Sequence, residues 1–130
     1  MDRERFDRLV AEAVESLPPE FKQRLENIDV VVQEWPTRHQ LASVGLRSRW
    51  ELLGLYEGIP LTAMGRSHAT ALPDKITIFR KPIEIAYRTE QRVVRGIADT
   101  VRHEIAHHFG LSDARLSEIE RQRRKETNHE

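Results

Sequence analysis

The sequence predicts an α+β fold: a small mixed or antiparallel sheet packed against an N-terminal helix and a second, longer helix. Three observations carry this expectation. Apolar residues recur at helical spacing up to Leu17, short β-branched runs occupy the middle of the chain, and a sustained helical period runs from Thr89 to Phe109.

Phe6, Leu9, Val10, Ala13, Val14 and Leu17 fall on one helical face with charged residues between them, until Pro18 and Pro19 interrupt the pattern. A second short helix is expected from Pro19 to Glu26, with proline in its first turn. Ile28 to Val32 is a β-branched run of the kind found in buried strands. Residues Thr37 to Arg49 read as a loop or irregular crossover, and ELLGLYEGIPL, punctuated by Gly54, Gly58 and Pro60, reads as a short strand or tight turn. Lys75 to Arg80 reads as a strand with Ile76, Ile78 and Arg80 on one side and Thr77 and Phe79 on the other, stopped by Pro82. In the long helix Val94, Ile97, Ala98, Val101 and Ile105 mark the inward face, and Gly110 provides the stop. One more short helix is expected over 112–121. The reading is therefore one domain over 1–121, followed by a polar tail over 122–130 too hydrophilic to bury.

Composition narrows the function. Charged residues make up 32% of the 130, and 21 Lys and Arg balance 21 Asp and Glu. The chain thus lacks the positive field of a typical nucleic-acid binder, and no nucleic-acid partner is expected. It has no cysteine, so a metal would have to be held by His, Asp or Glu. The first ten residues lack an apolar leader and no stretch is long and apolar enough for a bilayer, so no membrane association and a cytoplasmic location are expected.

The chemistry concentrates in HEIAHHFGLSD, residues 103–113. His103 and His107 lie one helical turn apart, so both imidazoles project from the same face and can share one metal ion. Glu104 stands beside them. A zinc ion with three protein ligands keeps a position for water and lowers the pKa of that water to about 7, where a nearby carboxylate can take its proton. Chance alone would place His-Glu-x-x-His in such a chain on the order of 3% of the time. Gly110 and Asp113 therefore carry the weight: a left-handed glycine ends the helix and turns Asp113 back toward the metal as third ligand. Asp113 is also suited to cap a following helix, in which case Glu118 or Glu120 would take that place. His108 points about a hundred degrees away from His107 and reads as a surface or supporting residue. His39, His68 and His129 fall in expected loops or the tail; of these His68 is the one able to approach the site. Tyr56 suits either oxyanion stabilisation or packing of a turn.

On these residues, HEIAHHFGLSD is similar to the short Asp-type relative of the metzincin motif. Together with LLGLYEGIPLT and ITIFRKPIE, the chain resembles the family of small bacterial zincin-like metallopeptidases over roughly 28–116. The resemblance implies a zinc-dependent peptidase acting on peptide or protein substrates, with His103, His107 and Asp113 as ligands and Glu104 as general base. It further implies that Ile76, Thr77, Ile78, Phe79 and Arg80 form the edge strand along which an extended peptide pairs. The pattern departs from metzincins in one respect: the two methionines, Met1 and Met64, both precede the motif, so no methionine turn follows it. Two rival readings are a metal-dependent ribonuclease built on His-x-x-x-His-x-x-Gly, which does not need Glu104, and a binding module that keeps the scaffold without catalysis.

Overall fold

The computed structural model describes residues 1–58, 74–110, and 114–122 apart from 116 and 120. Helix α1 (Arg3–Glu15) starts where the Asp2 side chain accepts the Arg5 N–H at 2.7 Å, and it buries Phe6, Leu9, Val10 and Ala13. Helix α2 (Pro19–Arg24) begins on a proline, whose missing N–H costs nothing in a first turn, and tightens into a 3-10 turn over Leu25–Asn27. Strand β1 (Ile28–Gln33) follows.

Helix α3 (Arg38–Ser43) occupies the segment expected to be a loop. Its start is a capping box: the Thr37 hydroxyl accepts the Gln40 N–H, and the Gln40 side chain accepts the Thr37 N–H. Strand β2 (Gly54–Glu57) and strand β3 (Asp74–Phe79) come next. Helix α4 (Arg80–Tyr87) then starts directly from the strand. Pro82 was expected to end the strand, but it sits in the first turn of α4, where helical N–H groups have no intrahelical acceptor to lose. Helix α5 (Glu90–Phe109) is capped by the Thr89 hydroxyl and ended by Gly110 at φ 67°, as its sequence signals require. The described residues between 114 and 122 are helical; residues 123–130, most of the expected polar tail, lie outside the description.

The three strands form one mixed sheet in the order β1-β3-β2, with β1 parallel and β2 antiparallel to β3. Successive β3 side chains alternate between its two faces. Ile76 and Ile78 join the main core with Phe6, Phe21, Ile97 and Val101, while Phe79 joins a smaller cluster with Leu41, Leu52 and Leu55. The inward face of α5 includes Val93, Ile97, Val101 and Ile105, with the expected Val94 and Ala98 only partly buried beside it.

This order corrects two strand assignments. Among the described strands β1 is an edge, with Asp29 and Val31 exposed and Ile28 its single buried residue, so its β-branched run reflects strand propensity and not a central position. β3, expected at the edge, is the central strand. Its backbone is paired on both sides, Ile76, Ile78 and Phe79 are fully buried, and Thr77 is nearly so. Arg80 is buried as well, bonded to both Glu34 oxygens, to Glu84 at 3.1 Å and to the Met1 carbonyl at 2.7 Å. Residues 76–80 thus have neither the free edge nor the free side chains that peptide pairing needs.

Candidate active site

The site is built where α5 packs against β2, the outer strand of the sheet among the described residues. Helical geometry sets His103 and His107 one turn apart on one side of α5, and both are exposed. The ring of His103 is already oriented: its Nδ1 lies 2.8 Å from the Asp99 carbonyl one turn earlier. A carbonyl can only accept, so Nδ1 carries the proton and Nε2 keeps its lone pair for a metal.

Glu104, the next residue round the helix, is half-buried against β2. Its Oε1 accepts the Tyr56 backbone N–H at 2.9 Å. Burial pushes the Glu104 carboxyl above its ordinary range, opposed by the Tyr56 hydrogen bond and then by the charges of His107 and His103. One oxygen is held by the strand, and the other has no partner among the described residues.

The contact depends on β2 lying close to the helix. A Cβ at Gly54 would come within 2.5 Å of the Thr100 methyl, so only glycine lets the strand approach this far. Tyr56 is fixed further by its side chain. Its ring stacks on His108, with centroids 3.8 Å apart and planes 11° apart, and its hydroxyl donates to Asp74 at 2.6 Å. Burial, then the Asp74 bond, pushes the Tyr56 hydroxyl well above the ordinary phenol range. This hydroxyl is engaged across the sheet, so Tyr56 contributes to the site through its main chain and its packing.

The zincin-like metallopeptidase family matches residues 25–123, most of the chain. The chain belongs to the zincin-like metallopeptidases. None of the curated proteins matches it. This zincin-like chain has no described helix long and apolar enough to cross a membrane.

Zincins bind zinc, and the residues in place fit that ion as half of a site. Two imidazoles share an exposed helix face, one has its Nε2 freed by a main-chain hydrogen bond, and a carboxylate stands alongside with no cation paired to it among the described residues. Among the described residues no three His, Asp or Glu side chains assemble around one point, so the set needs a further donor. Asp113 lies outside the described residues, as do His68, His129 and Glu120. Of the alternatives, Glu118 is exposed and paired with Arg115 at 3.4 Å, and His39 is exposed on α3.

The main-chain N–H of Tyr56 and the His108 ring stacked on it are the parts of the site that motif reading does not find. A backbone donor has no residue type of its own. The available signal was Gly54 in LLGLYEG, a small residue inside a strand pattern, which marks close backbone approach.

Proposed function

We propose that the chain is a zinc-dependent peptidase cleaving extended, unstructured peptides, with Glu104 as general base. The observation that carries this reading is the 2.9 Å hydrogen bond from Tyr56 N–H to Glu104 Oε1, which aims a half-buried carboxylate from the zinc-binding helix at the edge of a strand. His103 and His107 would hold the ion, with Asp113 as third donor. Bound there, zinc supplies a Lewis acid that acidifies water and polarises a carbonyl.

The remaining work belongs to the protein. Glu104 takes a proton from the attacking water at the oxygen that Tyr56 does not occupy, and returns it to the departing amide nitrogen. Its raised pKa suits both halves of this cycle, since a carboxylate that is too acidic is a poor base. The Tyr56 N–H and the Tyr56–His108 stack hold the carboxylate still during the transfer.

The substrate edge is reassigned from β3 to β2. The Phe79 N–H donates to the Leu53 carbonyl at 2.9 Å, so by the alternation of an antiparallel ladder Leu55 and Glu57 also face β3, while Gly54 and Tyr56 turn their main-chain groups outward. Glu104 occupies the Tyr56 N–H. Among the described residues nothing takes the Gly54 N–H or the Gly54 and Tyr56 carbonyls, which would pair with an extended peptide, and main-chain pairing of this kind gives loose sequence preference.

The test is Glu104→Gln, which keeps the size and the Tyr56 hydrogen bond while removing the base. The variant should retain zinc at the wild-type stoichiometry and lose cleavage of an unstructured peptide library by about a hundredfold or more. Zinc-loaded wild-type protein that cleaves no peptide would sink the proposal. Degradation of single-stranded RNA by the wild type and by Glu104→Gln alike would point to the ribonuclease chemistry instead.

A further inference from the structure

Beyond the catalytic helix, the most exposed aromatic cluster in the described structure lies just upstream of β2. Trp35 and Trp50 meet edge to face, with centroids 4.8 Å apart, and the Arg49 guanidinium lies over the Trp35 ring at 4.0 Å and near Trp50 at 5.5 Å. Trp50 is 49% exposed. Arg38 and Arg47 flank the cluster in sequence, against the two acids Glu34 and Glu51, of which Glu34 is already paired with Arg80 and Arg3. Among the described residues Arg38, Arg47 and Arg49 have no ion pair, whereas Arg3, Arg5 and Arg80 each hold a carboxylate. The patch is locally basic on a chain with no net charge.

Its place in the fold is equally specific. Trp35 follows the end of β1, and Trp50 stands four residues before β2, at the end of the sheet where β1 and β3 finish and β2 begins. Six residues of extended chain span about 20 Å, which bounds the distance from Trp50 to Tyr56 and hence to the Glu104 contact. A peptide paired with the β2 edge and continuing past Gly54 runs toward this cluster.

We propose that the Trp35–Arg49–Trp50 cluster is an exosite for the acidic part of an extended peptide substrate, engaging it roughly four to six residues from the scissile bond. The inference rests on the peptidase reading for what the peptide is, but not for whether it binds. Stacking on indole orders the Arg49 side chain before any ligand arrives, so less entropy is lost on binding, and its planar N–H fork matches a carboxylate. Tryptophan and arginine are the side chains that most often dominate binding energy at interfaces. A nucleic acid could also use aromatic and basic groups, but a chain of zero net charge gains little from counterion release, and the patch is continuous with a strand edge suited to peptides.

Trp35 and Trp50 are the two tryptophans of the sequence, so intrinsic tryptophan emission reports on this cluster and on nothing else. Full-length Glu104→Gln protein without added metal is titrated with an unstructured Glu-rich peptide, with the same peptide carrying Lys in place of Glu, and with single-stranded oligothymidylate. Anisotropy of each labelled probe is followed in parallel. The Glu-rich peptide should shift the emission saturably and bind more weakly as salt rises; Arg49→Ala should weaken binding by about tenfold and Arg49→Glu more. A circular-dichroism melt unchanged in Arg49→Ala shows that the fold persists.

No binding of the Glu-rich peptide, equal binding of the Lys version, or binding unaffected by Arg49→Glu overturns the exosite. Tighter binding of oligothymidylate than of peptide overturns it in favour of a nucleic-acid surface. Because the titration involves no cleavage, an inactive enzyme would defeat the peptidase reading while leaving this result standing, and a silent titration would do the reverse.

Discussion

Glu104 serves the proposed chemistry only because its two oxygens are treated differently, one bonded to the Tyr56 N–H and one with no partner among the described residues. That asymmetry comes from the strand and not from the motif. The same division shows what was legible at the scale of single residues. His103, Glu104 and His107 could be read because helical spacing alone dictates which side chains share a face. Tyr56 could not be read as a positioning group, because its contribution is a main-chain N–H. Arg80 was misread because alternation places a side chain on a face without saying whether Glu34 and Glu84 wait there. Asp113 is the residue whose role most needs a measurement. Glu118, the competing donor, is exposed and shared with Arg115, so its carboxylate is already partly committed. Asp113→Ala should therefore weaken zinc binding by roughly tenfold or more, the scale expected for disturbing a metal's ligand set, and Glu118→Ala should change it little. Equal losses in a zinc titration followed by calorimetry would show that Asp113 serves as a helix cap.

Helices and strands differ in how openly the sequence declares them. α1 and α5 were legible because each repeats its apolar face over several turns, and because Gly110 marks the end of α5; the caps at Asp2 and Thr89 emerged only in the structure. α3 and α4, of 6 and 8 residues, are too short for a period to emerge, and their remaining signals, the Thr37/Gln40 capping box and the first-turn Pro82, lie in segments read as loop and strand stop. Packing between elements is declared least of all. Gly96 illustrates this: it sits in the middle of α5, where glycine normally costs about 1 kcal/mol relative to alanine. The Tyr87 ring at the end of α4 lies directly over it, and an added Cβ would overlap that ring. Gly96→Ala thus sets a gain of up to about 1 kcal/mol in helix propensity against an overpacking cost of about 1 to 3 kcal/mol. The clash should win, lowering stability by about 1 kcal/mol in chemical denaturation. In a Tyr87→Ala background, where no ring remains to collide, the same substitution should become stabilising. A double-mutant cycle without coupling between the two positions would refute the packing argument.

Across the whole molecule, distant parts of the chain are tied together by a buried arginine. Arg80, whose side chain is 10% exposed, joins the end of β3 to Glu34 after β1, to Glu84 in α4 and to the main chain of Met1, while Arg3 reaches both Glu34 and the Val32 carbonyl. The sheet's central strand is thereby anchored to the N-terminal helix through charge as well as through the apolar core. The anchor has a definite pH dependence. The hydrogen bond from Arg80, aided by the charges of Arg80 and Arg3, holds the Glu34 carboxyl below its ordinary pKa of 4.5 against the opposing effect of burial. A group with a lowered pKa in the folded state stabilises it above the unfolded pKa, and that contribution disappears as pH falls through the folded value. The exposed Arg5–Glu90 pair shifts in the same direction, so acid sensitivity alone does not isolate the anchor. Glu34→Gln does. At neutral pH the variant should be less stable than the wild type, because Arg80 keeps Glu84 but loses its two-pronged partner. The gap should start to close as pH drops below 4.5, where the unfolded carboxyl takes up its proton, and the two urea denaturation curves should converge once pH has fallen through the lowered folded value. A stability gap that stays constant from neutral pH to pH 3 would mean that Glu34 acts through its size and neutral hydrogen bonding, and that its charge plays no part in holding the sheet to the chain's beginning.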